Sequence, residues 1–295
     1  MSSSSNDGFL LDRPGIRESF DRASTRYEEA AILQARVSDE LVDRLALFRL
    51  EPRVILDLGC GPGRATAALK RAYPQATILA LDFAPGMLRE AGRRMDGEGV
   101  RFERICADAL RLPIAAASVD LVFSSLMLQW CEPLQVAFTE VRRVLRPGGL
   151  LMFSTFGPDT LKELRAAWSA VDEGMHVNRF VDMHDVGDAV MRAGLSEPVL
   201  DLERMQLTYP DVLGLMRDLK AIGAHNVAID RARGLTPRTK LRRMEAAYEK
   251  ERRDGRLPAT YEVVYGTAWG GSNRATAGSI AGEVSISPSD IRRRS

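Results

Sequence analysis

Cysteine is scarce in this chain of 295 residues: Cys60, Cys106 and Cys131 are odd in number and not spaced as metal ligands. That arithmetic argues against a disulfide scaffold and a zinc site, and for buried free thiols in a reducing compartment with no metal. Histidine is as scarce, and His176, His184 and His225 form no persuasive catalytic set with a serine or cysteine. They are read as structural or surface groups. An excess of one charge is missing too, since 41 basic residues face 40 acidic ones, so no wholesale attraction to nucleic acid is expected. No apolar run approaches the ~20 residues of a membrane span. The opening MSSSSND is polar and unlike a signal peptide. The expectation is a cytoplasmic protein without membrane or nucleic-acid partners. At 45% apolar residues, the chain can bury a full core as one large domain or one domain with an insertion.

What is present is an alternation of strand-like and helix-like segments. A polar tail over residues 1–15 precedes a helical pattern from Ile16 to Leu47. Strand patterns follow at 54–58, 77–81, 101–106, 119–124 and 150–155, with helix patterns at 65–73, 85–95 and 134–145 between them. Such alternation predicts an α/β fold whose parallel sheet is covered by helices on both faces. Ligands in such folds sit at the carboxyl ends of the strands. Further on, 159–171 and 182–193 read as helices, and 197–208 and 260–268 as strands able to pair as a hairpin. The charged stretch 211–256 between them reads as an inserted helical lid within a domain spanning 16–269. The Gly/Ser/Ala-rich tail 270–295 reads as disordered.

The stretch VILDLGCGPGRATAAL is a strand, a glycine turn and a helix start. Gly59, Gly61 and Gly63 space as G-x-G-x-G, and Arg64 stands where a dinucleotide fingerprint needs its third glycine. The acids at the strand ends suggest another ligand. Asp82 closes the second strand, where a carboxylate takes a ribose diol. Asp108 closes the third, placed to accept from an adenine amino group beside the Ala109 amide, and Asp57 lies just before the glycines. Adenine, ribose and an amino-acid arm without phosphate describe S-adenosylmethionine.

VILDLGCGPG, ALDFAPGML, CADALRLP and VDLVFSSLMLQW resemble the successive motifs of class I S-adenosylmethionine-dependent methyltransferases. The resemblance implies a Rossmann-like, seven-stranded, mostly parallel sheet of order 3-2-1-4-5-7-6 with an N-terminal helix. It also implies cofactor contacts from Phe83, Met87 and Ser124. FDRASTRYEEAAILQ, SSLMLQWC, AAWSAVDEGMHVNRFVD, LMRDLKAIGA and LPATYEVVYG are similar to the malonyl-acyl-carrier-protein O-methyltransferase family, which opens the pimeloyl branch of biotin synthesis. By that resemblance Tyr27, two helical turns before Gln34, covers the methionine arm, while Gln129 and Trp130 line the methyl-transfer end.

A malonyl carboxylate is ionised at neutral pH, so transfer to it needs no general base. It needs a cation to hold it, which arginine does in bidentate geometry. Arg179 is the leading candidate, followed by Arg217 and Lys220. RARGLTPRTKLRR carries six basic residues and no acid, namely Arg231, Arg233, Arg238, Lys240, Arg242 and Arg243. Such a stripe suits docking of an acidic, malonyl-loaded acyl carrier protein. Two alternatives stand beside this reading. One is a methyltransferase for another small acid or a quinone-type ring. The other rests on FGPDTLKELR, LTYPDVLGLM and LPATYEVVYG, which also resemble the mitochondrial complex I assembly factor of this fold, regarded as an arginine hydroxylase.

Overall fold

The short apolar runs of the N-terminal half become strands buried on both faces. A computed structural model of the chain describes residues 11–224 and 236–271. In it β1 (Val54–Leu58), β2 (Thr77–Asp82), β3 (Glu103–Cys106), β4 (Val119–Ser125) and β5 (Leu145–Phe156) run parallel. Next to β5 lies β7 (Leu257–Gly270), antiparallel to it and to β6 (Leu195–Tyr209) at the edge. The order is β3-β2-β1-β4-β5-β7-β6, the one the class I resemblance implies.

Period-2 alternation sends neighbouring strand residues into two separate cores. Ile55, Phe123 and Leu150 join one face with Val37 and Leu41 of α3 (Ile32–Arg44) and Leu69 of α4 (Arg64–Ala72). Leu56, Val122 and Leu151 join the other with Phe138 and Val141 of α6 (Leu134–Val144). There Phe138 meets Phe153 edge-on at 5.4 Å. Covered on both faces, the central strands leave only their ends and loops to meet a ligand.

The single helix expected from Ile16 to Leu47 is instead three. α1 (Arg13–Ala23) and α2 (Tyr27–Ala30) are joined by a 3₁₀ turn, and Ala31, at φ −86° and ψ 40°, breaks the chain before α3. The pieces follow different neighbours: α1 lies on α5 (Pro85–Glu98), and α3 lies on α4. Apolar spacing is the same for one helix or three, so only these contacts reveal the breaks. The tail expected over 1–15 also ends sooner. Asp12 caps α1 by accepting the Gly15 N–H at 3.1 Å, and Leu11 is buried with Ile16.

Beyond β5 come α7 (Lys162–Ser169) and α8 (Met183–Arg192). Between β6 and β7 stand α9 (Val212–Ala221) and α10 (Arg238–Tyr248), in the stretch read as an insertion. Those two strands pair from Leu195–Gly270 to Tyr209–Leu257, so the second reaches two residues past the expected 268. The expected tail beyond residue 271 lies outside the described residues. Among the described residues, no helix is long and apolar enough to cross a membrane.

Candidate active site

Three cavities that share wall residues lie at the carboxyl ends of the strands, the first two at β1, β2 and β4 and the third at β5. The glycine turn after β1 separates the first two. Gly59 has φ +80°, and a Cβ there would lie 2.2 Å from Met127 Cγ, so both conformation and space require glycine. Gly61, at φ +53°, lines both cavities, and a Cβ there would meet no protein atom within 4 Å. The bare position leaves that space to a ligand.

The turn is organised by Asp82. Its Oδ2 accepts the Gly61 N–H at 3.0 Å and its Oδ1 the Ala84 N–H at 2.8 Å. Burial pushes this carboxyl up to about 6, against the lowering effect of those bonds. Asp57 is 1% exposed, accepts the Thr66 hydroxyl at 2.5 Å, and is pushed by burial to about 7. Two buried acids are thus held close to one cavity system, where a ligand that brings hydroxyl donors and positive charge is favoured.

The first cavity is lined by Asp82, Phe83, Met87, Asp108 and Ala109, with Tyr27 and Trp130 at one side. Asp108 is not bare: Arg13 reaches it from α1 at 2.5 Å, while its Oδ1 accepts the Leu110 N–H. The second cavity is lined by Tyr27, Gln34, Ser38, Asp57 and Ser125. Burial, with Asp82 beside it, pushes the Tyr27 phenol upward and keeps it protonated. The Ser38 hydroxyl is buried without a hydrogen-bond partner among the described residues, in that same cavity wall. Nothing in the sequence pattern marked Ser38, because its exposure depends on how α3 sits over the turn. Ser124 is a correction. It is fully buried, its hydroxyl donates to the Leu58 carbonyl at 2.9 Å, and its neighbour Ser125 lines the cavities instead. Alternation along β4 turns one serine into the sheet and the next toward the ligand.

The arginines around these two cavities are committed elsewhere. Arg64 pairs with Asp39, Arg94 with Glu28 and Glu98, and Arg13 with Asp108. No unpaired cation is left among them for a pyrophosphate.

The third cavity, of about 1210 Å³, meets the first at Trp130 and the second at Gln34. Its walls are mostly apolar, with Phe156, Leu164, Trp168 and Phe180 facing Met216 and Leu219 of α9. No acidic side chain lines it among the described residues, and Lys220, an exposed residue at its edge, is the one lysine or arginine that does. Two sequence candidates are corrected here. Arg179 is exposed and does not line the cavity, although its neighbours Asn178 and Phe180 do, and it lies beside the like charge of Arg165. Arg217 points away, donating to the Leu213 carbonyl at 3.3 Å with Asp211 4.0 Å off. The helical repeat sets Met216, Leu219 and Lys220 on one arc and leaves Arg217 at its edge.

Of the histidines read as structural or surface groups, His176 packs on Trp168 in the wall of the third cavity and His184 is exposed on α8. Two further calls change. Cys106, read as a buried thiol, is exposed. Lys240 turns inward from α10 to pair with Asp172 at 2.8 Å, which removes it from a docking stripe. Arg238, Arg242 and Arg243 remain exposed, while Arg231, Arg233 and His225 lie outside the described residues.

A family model described as "Methyltransferase domain" matches residues 56–153, the span that holds β1 to β5. The malonyl-(acyl-carrier protein) O-methyltransferase of Methylovorus sp. (strain MP688) is 54% identical over 268 residues, covering 89% of this chain and 90% of that protein. The chain belongs to this family. A relative of the same name from Laribacter hongkongensis is 50% identical over 271 residues, covering 89% of this chain and 91% of its own. The solved structure of phosphoethanolamine N-methyltransferase 2 from Haemonchus contortus, in complex with S-adenosyl-L-methionine, is 14% identical with a TM-score of 0.53. It is matched over 85% of this chain and 57% of its own, a likeness of fold alone.

S-adenosylmethionine is the cofactor of this methyltransferase, and the residues present fit it. Raised carboxyls, an unpartnered serine hydroxyl and a bare glycine turn suit a cationic ligand with sugar hydroxyls and no phosphate. The enzyme is thus an S-adenosylmethionine-dependent O-methyltransferase.

Proposed function

We propose that this methyltransferase esterifies the free carboxylate of a malonyl thioester carried by acyl carrier protein, giving the methyl ester that primes pimeloyl synthesis for biotin. The observation that carries this reading is the third cavity, which is apolar, free of acids among the described residues, and provided with one ammonium at Lys220. When bound, S-adenosylmethionine supplies an electrophilic methyl group on a sulfonium.

The chain's own work is then binding, alignment and exclusion of water. Asp82 takes the ribose hydroxyls, while Phe83 and Met87 line the adenine side with Asp108 and Ala109. Tyr27, Gln34, Asp57, Gly59 and Gly61 surround the amino-acid arm. Trp130 stands between cofactor and acyl cavities, braced by Phe20 of α1 edge-on at 5.3 Å. Ser19 of α1 donates to the Gly223 carbonyl at 3.2 Å, tying the N-terminal helix to the end of α9. Two elements from opposite ends of the chain thereby close over one site.

Lys220 takes the carboxylate. No proton leaves the nucleophile, so no base is required, and methylation removes the charge that anchors the product. A ring hydroxyl would instead ask for a base beside Trp130, a need that an ionised malonyl carboxylate does not have. The test is incubation of the protein with methyl-labelled cofactor and malonyl-loaded carrier protein. Label should appear as a base-labile ester on the malonyl group. Intact cofactor binding without such label would overturn the reading.

Arg238, Arg242 and Arg243 of α10 form the docking face for the acidic carrier protein. Reversing their charge should slow encounter with carrier-bound substrate, and the defect should shrink as salt rises. A malonyl-pantetheine thioester should be much less affected. Equal losses on both substrates would point to damage of α10 rather than loss of a docking face.

A further inference from the structure

The motif AAWSAVDEGMHVNRFVD places a second polar group in the acyl cavity besides the asparagine at its centre. His176 forms part of the wall with 19% of its side chain exposed. Trp168 of α7 lies flat on the imidazole, with centroids 3.9 Å apart and the planes 9° from parallel. Nε2 sits 2.7 Å from Asp172 Oδ1. Asp172 is itself fixed, receiving the Lys240 ammonium at 2.8 Å and the Gly174 N–H at 3.0 Å. The bond from Lys240, then that from His176, holds its carboxyl well below the usual carboxylate range. Asp172 therefore stays anionic, and the ring hydrogen belongs on Nε2. That leaves Nδ1 as the ring nitrogen without a protein partner among the described residues.

We propose that His176 is a substrate-binding residue of this cavity, donating from Nδ1–H to a carboxylate oxygen of the bound acyl group. The inference rests on the carboxylate-methylation reading and adds to it a second donor beside Lys220. A ring fixed at Nε2 and stacked on one face presents its remaining nitrogen in one orientation, which is what alignment of a small anion needs. Both nitrogens carry a hydrogen in this arrangement, one donated to Asp172 and one to the acyl carboxylate.

Asp172 and the incoming carboxylate favour the imidazolium, Lys240 on α10 and Lys220 on α9 oppose it, and the phenol of Tyr261 on β7 is neutral.

The test is steady-state kinetics with malonyl-loaded carrier protein at saturating cofactor, for the full chain and two variants. His176→Asn puts an amide N–H near the place of Nδ1, and should lose about tenfold in kcat/KM. His176→Gln keeps the contact to Asp172 but not the donor, and should lose about a hundredfold. Cofactor affinity should be unchanged in both. A residue that merely held Asp172 and Trp168 in place would be replaced better by Gln, so Gln matching or exceeding Asn overturns the proposal. In the wild-type protein the nitrogen-15 signal of His176 Nδ1 should move when malonyl-pantetheine binds, and an unmoved signal with the acyl group bound overturns it even if neither variant folds. Absence of methyl transfer by the wild type removes the carboxylate reading and this inference with it, whereas transfer with either of the preceding outcomes removes His176 alone.

Discussion

Lys220→Ala should lower kcat/KM for malonyl-loaded carrier protein by about 5- to 30-fold while cofactor affinity stays the same. The variant takes the one lysine from the cavity wall, and because that ammonium is exposed to solvent the loss is about 1–2 kcal/mol. Lys220→Arg should recover part of the rate, since the charge returns on a longer and wider group. Arg217→Ala should change the rate less than about threefold, because an exposed ion pair contributes little. Arg179→Ala should behave likewise, its side chain lying off the cavity wall. The comparison is decisive because all three are basic residues first marked by the same sequence reasoning. A loss in Arg179→Ala equal to that in Lys220→Ala would move the anchor to the segment between Val177 and Phe180.

Asp82→Ala should weaken S-adenosylmethionine binding by about 10- to 100-fold, measured by calorimetry. A carboxylate hydrogen-bonded to ligand hydroxyls accounts for about 1.5–3 kcal/mol. The variant also frees the Gly61 and Ala84 N–H groups, so the turn that faces the cofactor loses its organiser. Thermal stability should change far less. A carboxyl raised to about 6 carries a burial cost that is absent below its ordinary range and fully present above pH 6. Removing the acid removes that cost and offsets the lost hydrogen bonds at neutral pH. The same sign fixes a pH effect on the wild type. Ligand hydroxyls bond best to the ionised acid, so affinity should weaken as pH falls below about 6. Asp82→Asn should abolish that dependence. Unchanged cofactor affinity in Asp82→Ala would remove this residue from the site.

The sheet and the cofactor side were legible because short local patterns encode them. β1 and its turn are contiguous in VILDLGCGPG, and Asp82 ends the short apolar run that becomes β2 beside β1. The substrate side was less legible, because its residues come from α7, the segment after it, α9 and β7, which only the closed fold brings together. Arg179 seemed the better anchor on chemical grounds, since a guanidinium grips a carboxylate in two places. Its backbone position nevertheless leaves the side chain outside the cavity that its two neighbours line. Lys240 looked like part of a basic stripe, yet its partner Asp172 stands 68 residues earlier in the chain.

By itself the sequence determined the glycine turn, through residues that tolerate positive φ, and the acids at the end of β2 and just past β3, while the strand order followed from the resemblance of its motifs to a family. The turn and the acids are local features, set by residues near one another in the chain. Only the tertiary structure decided which basic side chain enters the acyl cavity, which of Ser124 and Ser125 meets a ligand, and where the N-terminal helix breaks. Each of those depends on which face of an element is turned inward, and that is set by packing against partners distant in sequence. Lys220 borders the cavity because it shares an arc of α9 with the partly buried Met216 and Leu219, and no pattern within LMRDLKAIGA distinguishes Lys220 from Arg217 until that face has found its cavity.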